Sequence, residues 1–138
     1  MTTQLTFAEE FLYDDSPVGI TIPVIVHYGE KSLRFHAKVD TGAEVCLFRH
    51  EHAIALGLPL EEGLPIVLAG LGGSIEAFGH EITLQTGELA FQSIVYFAKH
   101  PGLSHNLLGR QGWLRNLKLA VIDYDSLLYL NAYESSSP

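Results

Sequence analysis

The segment KVDTGAEV, residues 38–45, carries an aspartate, a threonine and a glycine directly after an alternating apolar stretch. Turns commonly use Asp and Gly, so Asp40 is either a turn residue or a carboxylate placed for chemistry. An isolated Asp-Thr-Gly arises by chance in about a few per cent of chains of this length, which favours the turn. The choice between the two therefore depends on the rest of the chain.

The flanking sequence predicts mostly β-strands. In residues 31–40 the apolar side chains fall at every second position: Leu33, Phe35, Ala37 and Val39. A strand in residues 18–29 would pair with this one through a turn at Gly29. Further strands are expected in residues 44–48, on both sides of the glycines at 70–73, and in residues 89–98, 117–124 and 126–133.

Two short helices are expected beside these strands. One covers residues 49–58, with Ile54 and Leu58 on a shared face. The second covers residues 110–117 and turns Trp113 towards the core. Closely spaced strands with one or two short helices predict an all-β fold class, a small closed β-barrel or sandwich.

The length of 138 residues fits one domain. We expect this domain to occupy residues 16–133. Residues 1–15 would form an N-terminal arm, either a removable pro-segment or a strand at an interface. The serine-rich residues 134–138 are expected to be a disordered tail.

Charge and cysteine content exclude several classes of partner. The formal net charge is −8, with eight Lys and Arg against sixteen Asp and Glu, which argues against nucleic acid. No run approaches the roughly 18 apolar residues of a membrane helix, and the N-terminus lacks the pattern of a signal peptide. The single cysteine, Cys46, excludes an internal disulfide and a Cys-based zinc site. These features indicate a cytoplasmic protein without a membrane partner.

The histidines do not predict a metal site. His50 and His52 flank Glu51, and this spacing on a helix points the two imidazoles apart. We expect them, with His100 and His105, to be solvated surface residues. Cys46 is expected to be a small buried residue, and Tyr124 and Tyr129 are expected to pack on strands.

Three segments of the chain, taken in order, carry a family pattern. They are VDTGA at 39–43, the glycine-rich AGLGGSIEAF at 69–78 and LLGRQGW at 107–113. This arrangement resembles the retropepsin-like aspartic proteases, the family of retroviral proteases and their cellular relatives. The resemblance covers most of residues 20–130 and implies the small closed barrel of that family.

The resemblance also implies roles for individual residues. The catalytic triplet would be Asp40, Thr41 and Gly42. The substrate-binding residues would include the rest of the loop and the tip of a hairpin, or flap: Ala43, Glu44, Gly70, Leu71, Gly72 and Gly73. Structural support behind the site would come from Gly109 and Arg110, and Glu44 would contact Arg110. The family needs neither a metal nor another cofactor.

The chemistry gives an independent reason for a dimer. Peptide hydrolysis without a metal or a nucleophilic side chain needs an activated water and an acid for the carbonyl oxygen, and two carboxylates sharing one proton can supply both. The chain contains one Asp-Thr-Gly, and its other aspartates are not followed by glycine. A two-fold axis would place a second Asp40 beside the first.

The sequence therefore predicts a homodimeric aspartic-type endopeptidase, a hydrolase whose substrates are peptides or proteins. The alternative is a dimeric peptide-binding or assembly module with the same fold and weak or no proteolysis. An intact Asp-Thr-Gly favours the enzyme, because a scaffold has no chemical need for the aspartate, but a fold does not by itself establish a function.

Overall fold

The structure, a computed structural model, describes residues 1–14, 19–70 and 72–133. The expected boundary between arm and domain at residues 15 and 16, the site residue Leu71 and the expected tail lie outside the described residues. The described chain forms ten strands and one α-helix: β1 (Glu9–Leu12), β2 (Thr21–Tyr28), β3 (Lys31–Val39), β4 (Leu47–Phe48), α1 (His50–Leu56), β5 (Leu64–Gly70), β6 (Gly73–Thr86), β7 (Leu89–Ala98), β8 (Leu107–Leu108), β9 (Leu117–Ile122) and β10 (Leu127–Ala132).

Seven of the strands form one sheet in the order β2-β3-β8-β4-β7-β6-β5. Strand β2 pairs with β3 on one side and with β6 on the other, so the sheet closes on itself. Strand β5 pairs only with the first half of β6 and projects from the closed part as a hairpin. The expected all-β fold with a small closed barrel is confirmed.

Alternating side chains fill this barrel, as the strand pattern predicts. Ile22, Val24 and Val26 of β2 have no exposed surface, while the residues between them are partly exposed. Trp113 is also fully buried, and its indole Nε1 donates a hydrogen bond to Thr86 Oγ1 at 3.3 Å. A buried indole needs such a partner, since its N–H would otherwise be left unsatisfied.

A second sheet of three strands, in the order β1-β10-β9, packs against the barrel. Its inner face is formed by Leu117, Leu128 and Leu130, all buried. The expected N-terminal arm therefore contributes strand β1 to this sheet, and the Tyr13 hydroxyl just after it donates to Asp123. A role as pro-segment or interface strand stays a prediction.

The first expected helix forms, but its buried face differs from the prediction. Helix α1 ends at Leu56 because Gly57 adopts the left-handed conformation at φ 70°. Ala53 and Leu56 face the core, whereas Ile54 is 60% exposed. The predicted face of Ile54 and Leu58 was wrong, since Leu58 lies beyond the end of the helix.

The second expected helix, residues 110–117, is wrong. The segment contains only a short 3₁₀ turn, Leu114–Asn116. The amide N–H groups of Arg110 and Gln111 donate to Ala43 and Glu44, far away in sequence, and are thus committed to long-range pairing. Gly112 then takes φ 96°, which no α-helix accommodates. Trp113 is buried as expected, but not from a helix.

Two smaller predictions need correction. The strand expected over 44–48 is reduced to Leu47–Phe48 and an isolated bridge between Val45 and Gln111. Tyr124 is 98% exposed in the turn between β9 and β10, so its predicted packing is wrong. Tyr129 does lie in a strand, where its ring meets that of Phe7. Among the described helices, none is long and apolar enough to cross a membrane.

Candidate active site

The loop of residues 40–44, called the Asp40 loop below, begins where strand β3 ends. Strand β8 lies parallel to β3 and pairs Leu108 with Val39. Asp40 N then donates to Leu108 O at 3.0 Å, which extends the pairing by one residue. Both flanking strands belong to the barrel, so the start of the loop is held by the rigid part of the fold.

The carboxylate of Asp40 is positioned by its own loop. Gly42 N donates to Asp40 Oδ1 at 3.0 Å, and Ala43 N donates to Asp40 O at 3.1 Å. This is a turn held by its aspartate, as the turn interpretation of Asp40 requires. The second carboxylate oxygen is not needed by the turn. Asp40 is partly exposed, and Thr41 and Gly42 are exposed, so the loop can meet another molecule.

Residues 109–111 lie directly against the Asp40 loop. Arg110 N donates to Ala43 O and Gln111 N to Glu44 O, each at 2.9 Å. A Cβ on Gly109 would stand 2.8 Å from Ala43 O and 2.7 Å from the carbonyl carbon of Val45. These are backbone atoms, which cannot move aside as a flexible side chain can, so the packing requires glycine at this position.

Cys46 lies under the same junction. It is fully buried, as predicted, and Gly109 N donates to its Sγ at 3.4 Å. Burial raises the pKa of the Cys46 thiol to about 12, more than the Gly109 hydrogen bond lowers it. The thiol therefore stays protonated near neutral pH and acts as a small apolar packing group.

A cleft of about 620 Å³ separates the Asp40 loop from the projecting β5–β6 hairpin, residues 64–79, called the glycine hairpin below. Its lining begins at Gly42, two residues after Asp40, and is mostly apolar. The described lining residues are Gly42, Ala43, Glu44, Val45, Leu47, Val67, Leu68, Ala69, Gly70, Gly72, Gly73, Ile75 and Leu107.

The tip of the glycine hairpin has few neighbours beyond its own two strands. Val67 is 65% exposed and Ile75 is 37% exposed, whereas Ala77 at the base of the hairpin is buried where β6 pairs with β7. Gly73 has φ 112°, which an L side chain rarely adopts, and there is open space around Gly70, Gly72 and Gly73. The tip can therefore change position at little packing cost.

The structure brings most of the predicted site residues to this cleft. Glu44, Gly70, Gly72 and Gly73 line it with Gly42 and Ala43. The sequence prediction missed the apolar walls, chiefly Val67, Ile75 and Leu107. The sequence does show apolar residues on both sides of the glycines and just before Gly109. A single sequence does not show which of these residues face a cleft.

The expected contact between Glu44 and Arg110 does not form in the described chain. Their backbones are neighbours, but both side chains are exposed and no ion pair joins them. Elsewhere among the described residues, ion pairs join Arg49 to Glu51 and Lys99 to Glu76. The prediction of a partly buried pair was wrong for the single chain, because hydrogen bonds between backbones hold these segments together without the side chains.

Asn106, which the sequence prediction also missed, connects three elements beside the site. Its Oδ1 accepts from Arg49 N at 2.9 Å, and its Nδ2 donates to His36 O at 3.0 Å. The same Nδ2 lies 3.2 Å from Nε2 of His52. Asn106 thus ties α1 and β3 to the start of β8, the strand that supports the Asp40 loop.

The histidines are less exposed than predicted. The His52 ring stacks on Phe35 with centroids 4.1 Å apart, and His50 Nδ1 lies 3.2 Å from Ala98 O. These two are therefore partly buried, whereas His100 and His105 are exposed as expected. No group of three or more His, Cys, Asp and Glu side chains within the described ranges is arranged to hold a metal ion.

We expect His52 to make stability depend on pH. Burial first, and the nearby Arg49 charge second, lower the pKa of His52 below its ordinary 6.5, and Glu51 opposes them. A depressed folded-state pKa means that the unfolded chain binds the proton better. The contribution of His52 to the free energy of unfolding is therefore fully present above about pH 6.5, and it is lost as the pH falls through the folded-state pKa.

Urea unfolding at pH 7.5 and pH 5 measures this effect. In His52→Gln the glutamine oxygen can still accept from Asn106, but the side chain takes up no proton between pH 7.5 and pH 5. We therefore expect this variant to lose less stability on acidification than the wild type. His100→Gln, an exposed loop change, should behave like the wild type. Equal acid sensitivity of all three proteins would contradict a role for His52.

Comparisons with known proteins agree with this architecture. The structure is similar to that of a retropepsin-like aspartic protease from Rickettsia conorii, with a TM-score of 0.63 and 19% sequence identity over 88% of this chain and 98% of that one. It is also similar to EIAV protease in complex with the inhibitor HBY-793, with a TM-score of 0.53 and 20% identity over 70% of this chain and 86% of that one. No family model and no curated protein sequence matches the chain. The chain thus has a retropepsin-like aspartic protease fold.

Proposed function

We propose that this retropepsin-like fold works as a homodimeric aspartic endopeptidase, with one Asp40 carboxylate from each subunit. The observation that carries the proposal is the cleft itself: the Asp40 loop and the glycine hairpin face each other across about 620 Å³ of mostly apolar space. A cytoplasmic location belongs to the proposal, because a single free thiol suits a reducing compartment.

The need for a partner follows from the positions of the other aspartates. Asp123 accepts the Tyr13 hydroxyl on the three-stranded sheet, and Asp125 lies in the exposed turn beyond β9. Neither of them, nor Asp14, lines the cleft in the part of the chain that the structure describes, and Asp15 lies outside that part. The carboxylate that does line the cleft, Glu44, is assigned to substrate binding. A second aspartate for the reaction would then come from another copy, since an isologous interface would bring the same loop to the two-fold axis.

The proposed mechanism uses a single proton shared by the two Asp40 side chains. The ionised carboxylate removes a proton from a water molecule as it attacks the peptide carbonyl carbon, and the protonated one donates to the carbonyl oxygen. Proton transfer to the nitrogen then lets the amine leave as the C–N bond breaks. The Gly42 and Ala43 amides hold the loop in place during this sequence.

The substrate would lie extended between the Asp40 loops and the glycine hairpins. An extended peptide can add its backbone to an exposed strand, with side chains entering pockets on alternate sides. The exposed apolar residues Val67 and Ile75 would be covered by substrate when the hairpins act as flaps. Closure would exclude water from the reacting bond.

The role of the glycine hairpin as a flap can be tested at Gly73. Gly73→Val should lower kcat/KM by about tenfold or more, because a bulky side chain at positive φ fixes the tip. Gly29→Val is the matched control, since Gly29 also has positive φ and open surroundings but lies at the β2–β3 turn. Both variants should lose a similar 1–2 kcal/mol, roughly, in unfolding free energy. If both lose activity equally, the flap role is wrong.

One observation favours the alternative, a dimeric peptide-binding or assembly module. Asp40 Oδ1 accepts from Gly42 N and so has a structural task that does not require catalysis. Cleavage of an unstructured protein by the purified dimer, blocked by a statine-type transition-state analogue, would establish the enzyme. Tight peptide binding by the wild type without cleavage would establish the module.

A further inference from the structure

We infer that Glu44 makes the cleft select peptides with a lysine or arginine side chain within four residues of the cleaved bond. This inference rests on the proposed function and specifies its substrate class. The observation behind it is a single carboxylate, without a cationic partner in the described chain, in the wall of an otherwise uncharged cleft.

Glu44 differs in charge from the other described residues of the cleft wall. Among the described lining residues it is the only charged one, and the others are glycine, alanine, valine, leucine and isoleucine. An apolar wall favours apolar substrate side chains. This accounts for the apolar lining residues but gives no reason for a carboxylate at Glu44. A carboxylate in such a wall can accept a hydrogen bond from any peptide N–H, but it discriminates between peptides only through a side chain that brings a positive charge to it.

The backbone of Glu44 is fixed while its side chain is free. Its carbonyl oxygen accepts from Gln111 N at 2.9 Å, which anchors the residue to the barrel. The side chain is exposed, and Arg110, whose backbone N–H donates to the neighbouring Ala43 O, forms no ion pair with it in the described chain. The carboxylate is therefore held at a fixed backbone position, and no cationic side chain of the described residues is paired with it.

Physical conditions in the cleft strengthen this attraction. When a bound peptide and the closed hairpins cover the cleft, its apolar walls would exclude water, so a charge pair there would be screened less than at an open surface. The net charge of −8 adds a long-range field that favours cationic peptides over anionic ones. Arginine would bind Glu44 in bidentate fashion, and lysine would bind as a point charge.

The distance along the loop limits where the basic residue can lie. Glu44 is four residues from Asp40, and four residues span at most about 14 Å when fully extended. A substrate strand advances by about 3.4 Å per residue. Because the loop turns between Asp40 and Ala43, Glu44 lies closer to Asp40 than this limit, and the difference allows for the reach of the two side chains. We therefore place the basic residue within four residues of the bond at Asp40, on one side or the other.

The experiment uses a set of octapeptides with valine, leucine and phenylalanine around the cleaved bond. One position at a time carries lysine, norleucine or glutamate, because norleucine keeps the aliphatic stem of lysine and removes its charge. The quantity measured is the ratio of kcat/KM for the lysine peptide to that for the norleucine peptide, at low salt and at 0.5 M salt. Using a ratio removes general losses of activity from the comparison.

We expect the wild type to give a ratio of about ten or more at one position, as for a charge-assisted hydrogen bond. High salt should reduce it. Glu44→Gln should bring the ratio to within about twofold of one, and Glu44→Lys should make the glutamate peptide the best substrate. Glu81→Gln is the matched control, because Glu81 is exposed on β6 outside the cleft and its loss changes the net charge equally.

A second measurement separates this inference from the proposed function. Binding of the same peptides to Asp40→Asn is followed by fluorescence anisotropy. If Asp40→Asn binds the peptides with charge selectivity but the wild type does not cleave them, the proposed protease activity is wrong and the role of Glu44 is supported. Cleavage with a ratio near one at every position, or a ratio that Glu44→Gln leaves unchanged, would overturn the role of Glu44 and leave the protease. Neither cleavage nor binding would overturn both.

Discussion

Replacing Asp40 with asparagine is expected to reduce peptide hydrolysis by at least about 10³-fold while the fold and the dimer remain. Asparagine retains a side-chain oxygen that can accept the Gly42 amide, so the turn should survive. It cannot take a proton from water, so the proposed acid–base step fails. The change thus removes the chemistry of Asp40 and keeps its structural task.

Single-turnover cleavage of an unstructured protein measures the loss, and sedimentation checks the dimer. Asp125→Asn is the matched control, since it makes the same chemical change in an exposed turn. An Asp40→Asn protein that cleaves at the wild-type rate would contradict the catalytic assignment. Activity lost together with the dimer would instead assign Asp40 a structural role, and an active wild-type monomer would contradict the shared site.

Gly109→Ala is expected to lower the free energy of unfolding by about 3 kcal/mol or more and to abolish activity. A Cβ here would press on the backbone of Ala43 and Val45, so the Asp40 loop or strand β8 would have to shift. Either movement displaces the carboxylate, because Asp40 N is bonded to Leu108 O. One methyl group behind the site should therefore act on both stability and catalysis.

Urea unfolding and kcat/KM measure the two effects of Gly109→Ala. Gly70→Ala is the matched control for stability, because a Cβ at Gly70 meets nothing within 4 Å and its φ is not positive. We expect that variant to change the unfolding free energy by less than about 0.5 kcal/mol. A Gly109→Ala protein as stable as Gly70→Ala would show that the junction tolerates a side chain, and the close packing described for it would be wrong.

Local sequence determined most of the barrel. A period of two, set by Leu33, Phe35 and Ala37, is enough to specify a strand with one buried face. The predicted strand at residues 89–98 has the same bounds in the structure. The glycines at 70–73 predicted a hairpin tip because they permit backbone conformations that other residues avoid. The Asp-Thr-Gly likewise located the loop that opens on the cleft.

Errors arose where a long-range contact outweighed a local preference. Residues 110–117 read as a helix, but the amides of Arg110 and Gln111 bond to a loop 67 positions earlier in the chain. Likewise, the exposure of His52 depended on Phe35 and Asn106, which belong to other elements. A single sequence shows neither which backbone groups are already paired nor which rings stack.

The sequence by itself determined the strand pattern, the position of the Asp40 loop and the hairpin that faces this loop across the cleft. Only the tertiary structure decided that Glu44 and Arg110 remain unpaired in the described chain and that an uncharged wall surrounds the Glu44 carboxylate. The physical reason is that strand periodicity and turn chemistry are local properties of the chain. Burial, ion pairing and the shape of a cleft depend on segments that meet only after folding.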